Sequence, residues 1–116
     1  MDDLTILHNP RCTKSREALA LITDQDPAVV PYLKEPLDKA ALLELLGKLE
    51  DEPTDLVRRD ALFKELGLTN DDVQSTEQVA TVLAEHPKLM QRPVLVRGDR
   101  AIIGRPTERV LPFLTA

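Results

Sequence analysis

Apolar positions along this 116-residue chain change their period several times, and each change marks an element. Leu4, Ile6 and Leu7 around Thr5 read as a short buried strand over 3–7. Residues 13–23 place Ala18, Leu19 and Ile22 on one face of a helix. Ala28-Val29-Val30-Pro31-Tyr32-Leu33 reads as a second strand over 28–33. Pro31 lacks an N–H, so this strand belongs at an edge or is bulged. A strand, a crossover helix and a strand imply a right-handed βαβ unit with parallel pairing.

The middle of the chain switches to helical spacing. Asp38 is a good N-cap for a helix over 39–49, with Leu42, Leu45, Leu46 and Leu49 as its apolar stripe. Thr54 is expected to cap a short helix carrying Leu56, Val57, Arg58 and Arg59. Another short helix spans 60–66 and stops at Gly67. Ser75 and Gln78 match a capping box, opening a helix to residue 85 with Val79, Val82 and Leu83 inward. His86-Pro87 ends it.

Val94-Leu95-Val96 and Ala101-Ile102-Ile103 flank Gly98-Asp99, the clearest hairpin in the chain. Pro106 suits the first turn of a last helix with Val110 and Leu111 inward, and Pro112 should bend or fray its end. No repeat, low-complexity tract or long linker interrupts this order. The sequence of elements is β-α-β, a helical stretch, then β-β-α. That order predicts an α/β, thioredoxin-like (glutaredoxin-like) fold with a four-stranded mixed sheet. A single domain over 1–116 is expected, with a helical insertion at about 38–90.

Composition narrows the function. Aromatics are 3 % of residues, so the core must be aliphatic, and the 30 % charged fraction suits a soluble protein. No apolar run is long enough to span a bilayer, and residues 1–20 lack a signal-peptide apolar region, so no membrane partner is expected. The net charge of -5 argues against general nucleic-acid binding. One cysteine excludes an internal disulfide and a thiolate-rich metal site, and the cytoplasm is the natural compartment.

That cysteine, Cys12, sits where the first strand turns into the first helix. A thiol there feels the positive end of the helix dipole and unpaired backbone N–H groups, both of which favour the thiolate. The competing reading is a small buried hydrophobe. Arg11, Lys14 and Arg16 crowd the same stretch. Arg92 and Arg105 each stand directly before a proline, and arginine suits a tetrahedral oxyanion because its planar fork donates two bonds at once. His8, four residues before Cys12, either supports the thiolate through a charge or hydrogen-bond network or bonds loop backbone. Asn9 is placed to form an Asx-turn.

Two thiol motifs fail on spacing. A phosphatase loop needs Cys-x5-Arg, but position 18 is Ala18. A dithiol redox motif needs a second cysteine three residues away, but the chain has Asn9 and Ser15.

Four segments together resemble the glutaredoxin-coupled arsenate reductase family, ArsC. They are His8-Asn9-Pro10-x-Cys12-x-x-Ser15-Arg16, the Leu-Val-Arg58 segment, His86-Pro87-x-Leu-x-x-Arg92-Pro93, and Gly104-Arg105-Pro106-x-Glu108. The similarity covers essentially the whole chain and is greatest to the short, YfgD-like branch. The resemblance implies Cys12 as the nucleophile that attacks arsenate, with His8 favouring its thiolate. It implies Arg58, Arg92 and Arg105 as oxyanion ligands, and Asn9, Ser15, Arg16 and a cis Pro93 as the supporting loop. It further implies glutathione as co-substrate, glutaredoxin as partner, and no metal or tightly bound cofactor. Thr13-Lys14 departs from the Gly-Thr of the better-studied reductases, and the chain ends without the longer tail of some members.

Two alternatives stand beside this reading. One is a related thiol oxidoreductase acting on another small oxyanion or a glutathione conjugate. The other is a Spx-like regulator that binds RNA polymerase, although Ser15 removes the second cysteine such a disulfide switch needs.

Overall fold

The computed structural model describes residues 3–115. Met1, Asp2 and Ala116, the outermost residues of the domain expected over 1–116, lie outside the described residues. Strands are β1 (Leu4–Leu7), β2 (Ala28–Val30), β3 (Val94–Arg97) and β4 (Arg100–Ile103). Helices are α1 (Thr13–Ile22), α2 (Lys39–Lys48), α3 (Ala61–Glu65), α4 (Thr76–Glu85) and α5 (Val110–Thr115).

The sheet order is β2-β1-β3-β4. β1 runs parallel to β2 and antiparallel to β3, and β3 and β4 form an antiparallel hairpin. Gly98 turns that hairpin at φ 62°, a conformation open to glycine without steric penalty. This is a mixed-sheet α/β architecture of the thioredoxin-like type.

Side-chain alternation sorts the core into two layers. Ile6, Leu95 and Ile102 are cross-strand partners in register and share one face. They pack with Ala18 and Ile22 of α1 and Val110 and Phe113 of α5. Leu7, Val94, Ala101 and Ile103 face the other way, onto Leu42, Leu45 and Leu46 of α2 and Val79, Ala80 and Leu83 of α4. Fully burying one such aliphatic side chain contributes about 1.5–3 kcal/mol. Phe63 and Tyr32 are the aromatics of that second layer.

Caps follow local chemistry. Asp38 accepts from the N–H of Ala41 at 2.8 Å to open α2, and Asp60 accepts from Phe63 at 3.1 Å to open α3. Ser75 and Gln78 form the reciprocal capping box of α4. Gly67 follows α3 at φ 72°.

Several boundaries differ from the sequence expectation, each for a physical reason. β2 ends at Val30, because the Pro31 carbonyl accepts from Lys34 and Glu35 at 2.9 and 3.0 Å and closes a turn. Tyr32 therefore leaves the strand and enters the core at 1 % exposure. The helix expected after Thr54 is a 3-10 turn over Pro53–Leu56 that opens on Pro53. Val57 then pairs with Met90 as an antiparallel bridge, flanked by Arg58 N–H to Leu89 O at 2.8 Å and Gln91 N–H to Leu56 O at 2.7 Å. Arg58 thus projects from extended backbone.

Leu49 turns out of α2 into a parallel bridge with Ala101. Pro106 precedes a 3-10 turn over Thr107–Arg109, and α5 begins only after it. Pro112 lies in the first turn of α5, where an absent N–H is tolerated, and the helix continues to Thr115. Leu111 is half exposed, because Val110 and Phe113, three apart, hold the buried face. Among the described residues no helix is long and apolar enough to cross a membrane.

Candidate active site

Cys12 is the N-cap residue of α1, in extended backbone at φ -95° and ψ 121°. The preceding loop is tied by short-range bonds. The Asn9 side-chain oxygen accepts from Arg11 N–H at 3.0 Å, which is an Asx-turn, and Asn9 O accepts from Cys12 N–H at 3.0 Å. Ser15 is fully buried on the first turn of α1. Its Oγ accepts from Asn9 N–H at 3.0 Å and bonds His8 Nδ1 at 2.7 Å. Three residues on both sides of Cys12 are therefore locked through one hydroxyl.

Among the described residues His8 bonds Ser15 and makes no hydrogen bond to the sulfur. Burial, with the charge of Arg16, lowers its pKa, so the ring stays neutral near pH 7. It acts as a buried strut under the loop. Arg16 itself is exposed and clasps the loop from outside, to Pro10 O at 3.5 Å and Thr13 Oγ1 at 3.2 Å. Lys14 is also exposed and pairs with Glu17 at 3.6 Å. The cations adjacent to Cys12 in sequence therefore face solvent.

Charge reaches the thiol from the far end of the chain instead. Arg105 Nη2 donates to Cys12 Sγ at 3.4 Å, while Arg105 Nε donates to Arg92 O at 2.7 Å. Partial burial pushes the Cys12 thiol up. The backbone N–H groups of Ser15 and Lys14 and the Arg92 guanidinium pull it down by more, so the thiol sits below its ordinary value. Arg92 and Arg105 are both followed by cis prolines, Pro93 and Pro106. A cis Pro93 is what the family resemblance implied, and the cis Arg105–Pro106 bond was not anticipated.

Arg58 takes a different place. It lines a groove of about 370 Å³ with Asn9, Leu33, Asp60, Leu62, Lys88 and Arg92. There it pairs with Asp60 at 3.2 Å. Asn9 and Arg92 belong both to this groove and to the surroundings of Cys12. A roomier groove of about 470 Å³ lies elsewhere, lined by Glu50, Arg100 and Phe113 among others, and no nucleophile borders it.

Several neighbours escaped the sequence reading. Tyr32, buried beneath the site, has a phenol that burial pushes up, with Arg92 and Asn9 beside it pulling the other way. Lys88 adds a cation to the Arg58 groove. Asp60 matters twice, as the cap of α3 and as partner of Arg58. Tyr32 is the chain's single tyrosine inside an apolar run, which was a usable signal. Nothing local marks Lys88 or Asp60.

A single half-buried thiol, held low by helix N–H groups and met by two arginines, is equipped for nucleophilic attack on a small anion. Comparison with known proteins agrees in fold and extent. The ArsC family model matches residues 7–113. Uncharacterized protein YfgD of Escherichia coli is 44 % identical over 113 residues, covering 94 % of each chain. Arsenate reductase of Neisseria meningitidis is 38 % identical over 114 residues, covering 95 % of this chain and 97 % of its own. The solved structure of arsenate reductase from Vibrio cholerae superposes with a TM-score of 0.82 at 39 % identity, covering 96 % of this chain and 97 % of that one. The extent of the match and the shared architecture place this chain in the ArsC family.

Proposed function

We propose that this protein is an arsenate reductase that uses Cys12 as its nucleophile and takes electrons from glutathione and glutaredoxin. The observation that carries the reading is the Arg105 Nη2 contact with Cys12 Sγ at 3.4 Å, at the N-terminus of α1. Relatives named arsenate reductase align over nearly the full chain and support the choice of substrate.

Arsenate is largely dianionic near neutral pH, so a thiolate must approach an anion. Arg92 and Arg105 offset that repulsion, and Arg58 and Lys88 raise the local concentration of the anion in the adjoining groove. Attack forms a sulfur–arsenic bond and expels one arsenate oxygen as hydroxide, which leaves as water after protonation. Glutathione thiolate then attacks the Cys12 sulfur. A sulfur–sulfur bond forms, the sulfur–arsenic bond breaks, and its electron pair stays on arsenic, giving arsenite. The two thiol sulfurs supply the two electrons and become a mixed disulfide. Glutaredoxin reduces it and restores the Cys12 thiolate. One cysteine suffices, because every later thiol comes from outside.

The test is arsenate-dependent NADPH oxidation with glutathione, glutaredoxin and glutathione reductase, comparing the protein with Cys12→Ser. Activity that needs arsenate and Cys12 supports the reading. Equal rates in Cys12→Ser, or no arsenate dependence with a reactive thiol, overturn it.

A further inference from the structure

The Arg105 guanidinium bonds the Cys12 sulfur through Nη2 at 3.4 Å, and its backbone lies just beyond β4, at the edge of the sheet. An edge strand end is a poor platform, because half of its backbone groups lack a neighbouring strand. Here residues 49–51 cover that edge. Glu50 N–H donates to Ala101 O at 2.8 Å, and the Asp51 carboxylate accepts from Ile103 N–H at 2.9 Å.

The same carboxylate binds Arg109 Nη1 at 2.7 Å through its other oxygen. Arg109 Nη1 in turn donates to Ile103 O at 2.9 Å and reaches Arg105 O at 3.4 Å. Two side chains thus grip the backbone of Ile103 from both its N–H and its carbonyl, and hold the carbonyl of Arg105. Asp51 is 14 % exposed and Arg109 34 % exposed, so the pair is sheltered. Neither residue bonds Cys12.

We propose that Asp51 and Arg109 are positioning residues that fix the Ile103–Arg105 backbone so that the Arg105 guanidinium stays on the Cys12 sulfur. Gly104 tightens the same unit, with its N–H on Pro93 O at 2.8 Å. All of Arg109's bonds in this unit leave one nitrogen, so a lysine, with three donors on one nitrogen, is a meaningful conservative replacement. The inference takes from the proposed function only that Cys12 is a reactive thiolate, and its readout needs no arsenate.

The experiment is the pH profile of Cys12 alkylation by iodoacetamide, with thermal denaturation and circular dichroism run alongside. The variants are Asp51→Asn, Arg109→Ala, Arg109→Lys, Arg105→Ala and the double variant Arg105→Ala with Arg109→Ala. Arg109→Ala and Asp51→Asn should shift the alkylation profile to higher pH and slow the reaction near pH 7 by about 3- to 10-fold. Arg109→Lys should recover most of that loss. The double variant should be no slower than Arg105→Ala alone, since both act through one guanidinium.

A profile that stays put while only the melting temperature falls would make the pair merely structural and overturn the proposal. So would additive losses in the double variant. If Arg109→Ala does not fold, Asp51→Asn and Arg109→Lys still decide through the same profile. Loss of arsenate turnover with a normal profile would count against the positioning role, whereas a shifted profile without any arsenate reduction would count against the substrate alone.

Discussion

Arg105 contacts Cys12 with one arm and Arg92 with the other: Nη2 lies 3.4 Å from the sulfur, and Nε bonds the Arg92 carbonyl at 2.7 Å. A guanidinium can do both because its donors are spread across a rigid plane. Arg105→Ala should therefore lose about 100-fold or more in turnover, and Arg92→Ala a similar factor, as expected for oriented donors at a developing oxyanion. Arg105→Lys should recover little, since a single ammonium cannot span both partners. Steady-state arsenate reduction in the coupled assay measures each.

The thiol of Cys12 should react as an anion below the usual range. Its rate of alkylation should reach half its maximum at a pH under ~8.5, the free-cysteine value. The sign follows from the balance at the sulfur, where N–H groups and Arg92 outweigh burial and favour the charged form. Stopped-flow alkylation from pH 5 to 10 gives the midpoint. A midpoint at or above the free value contradicts the thiolate.

Arg58 is expected to behave unlike the other two arginines. It sits in the groove beside Arg92 and is paired with Asp60, away from the sulfur. Arg58→Ala should raise KM for arsenate while leaving kcat within about threefold, the pattern of binding lost equally from ground state and transition state. A large fall in kcat at saturating arsenate would place Arg58 at the reacting atoms.

Ser15 holds His8 and Asn9 at once, so its loss is felt in stability. Ser15→Ala leaves two buried groups without their partner and should cost about 1–3 kcal/mol, read from urea denaturation. The His8 pKa is lowered in the folded state, so the unfolded chain takes up the proton first as pH falls. The stability present above about pH 6.5 should decline as pH drops through that value and level off below the folded-state pKa. His8→Gln should flatten this slope relative to the unmodified protein.

Gly104 has no room for a side chain. A Cβ there would lie 2.9 Å from both Leu95 Cδ1 and Pro93 Cγ. Leu95 is fully buried and the proline ring is stiff, so Gly104→Ala should destabilise the protein by about 1–3 kcal/mol through overpacking. Because Arg105 is the next residue, turnover should fall along with the melting temperature.

What the sequence determined by itself is whatever local chemistry decides. The strand of Leu4–Leu7, the Gly98 hairpin, the Asp38 cap and the Ser75–Gln78 capping box depend on contacts within a few residues, and periodicity and side-chain type suffice to read them. The position of Cys12 at the start of α1 is legible for the same reason. The tertiary structure decided which of the candidate cations reach the sulfur: Arg92 and Arg105, already singled out in the sequence, rather than the neighbours of Cys12. Arg11, Lys14 and Arg16 are near in sequence but point to water, because the buried face of α1 is taken by Ser15, Ala18 and Ile22. Arg105 is 93 residues away yet bonds the sulfur, and the Asp51–Arg109 clamp joins residues 58 apart. The same holds for Arg58, which left its expected helix because Val57 found a strand partner in Met90. Local patterns set what each segment can become, but only the pairing of distant backbone decides where its side chains end up.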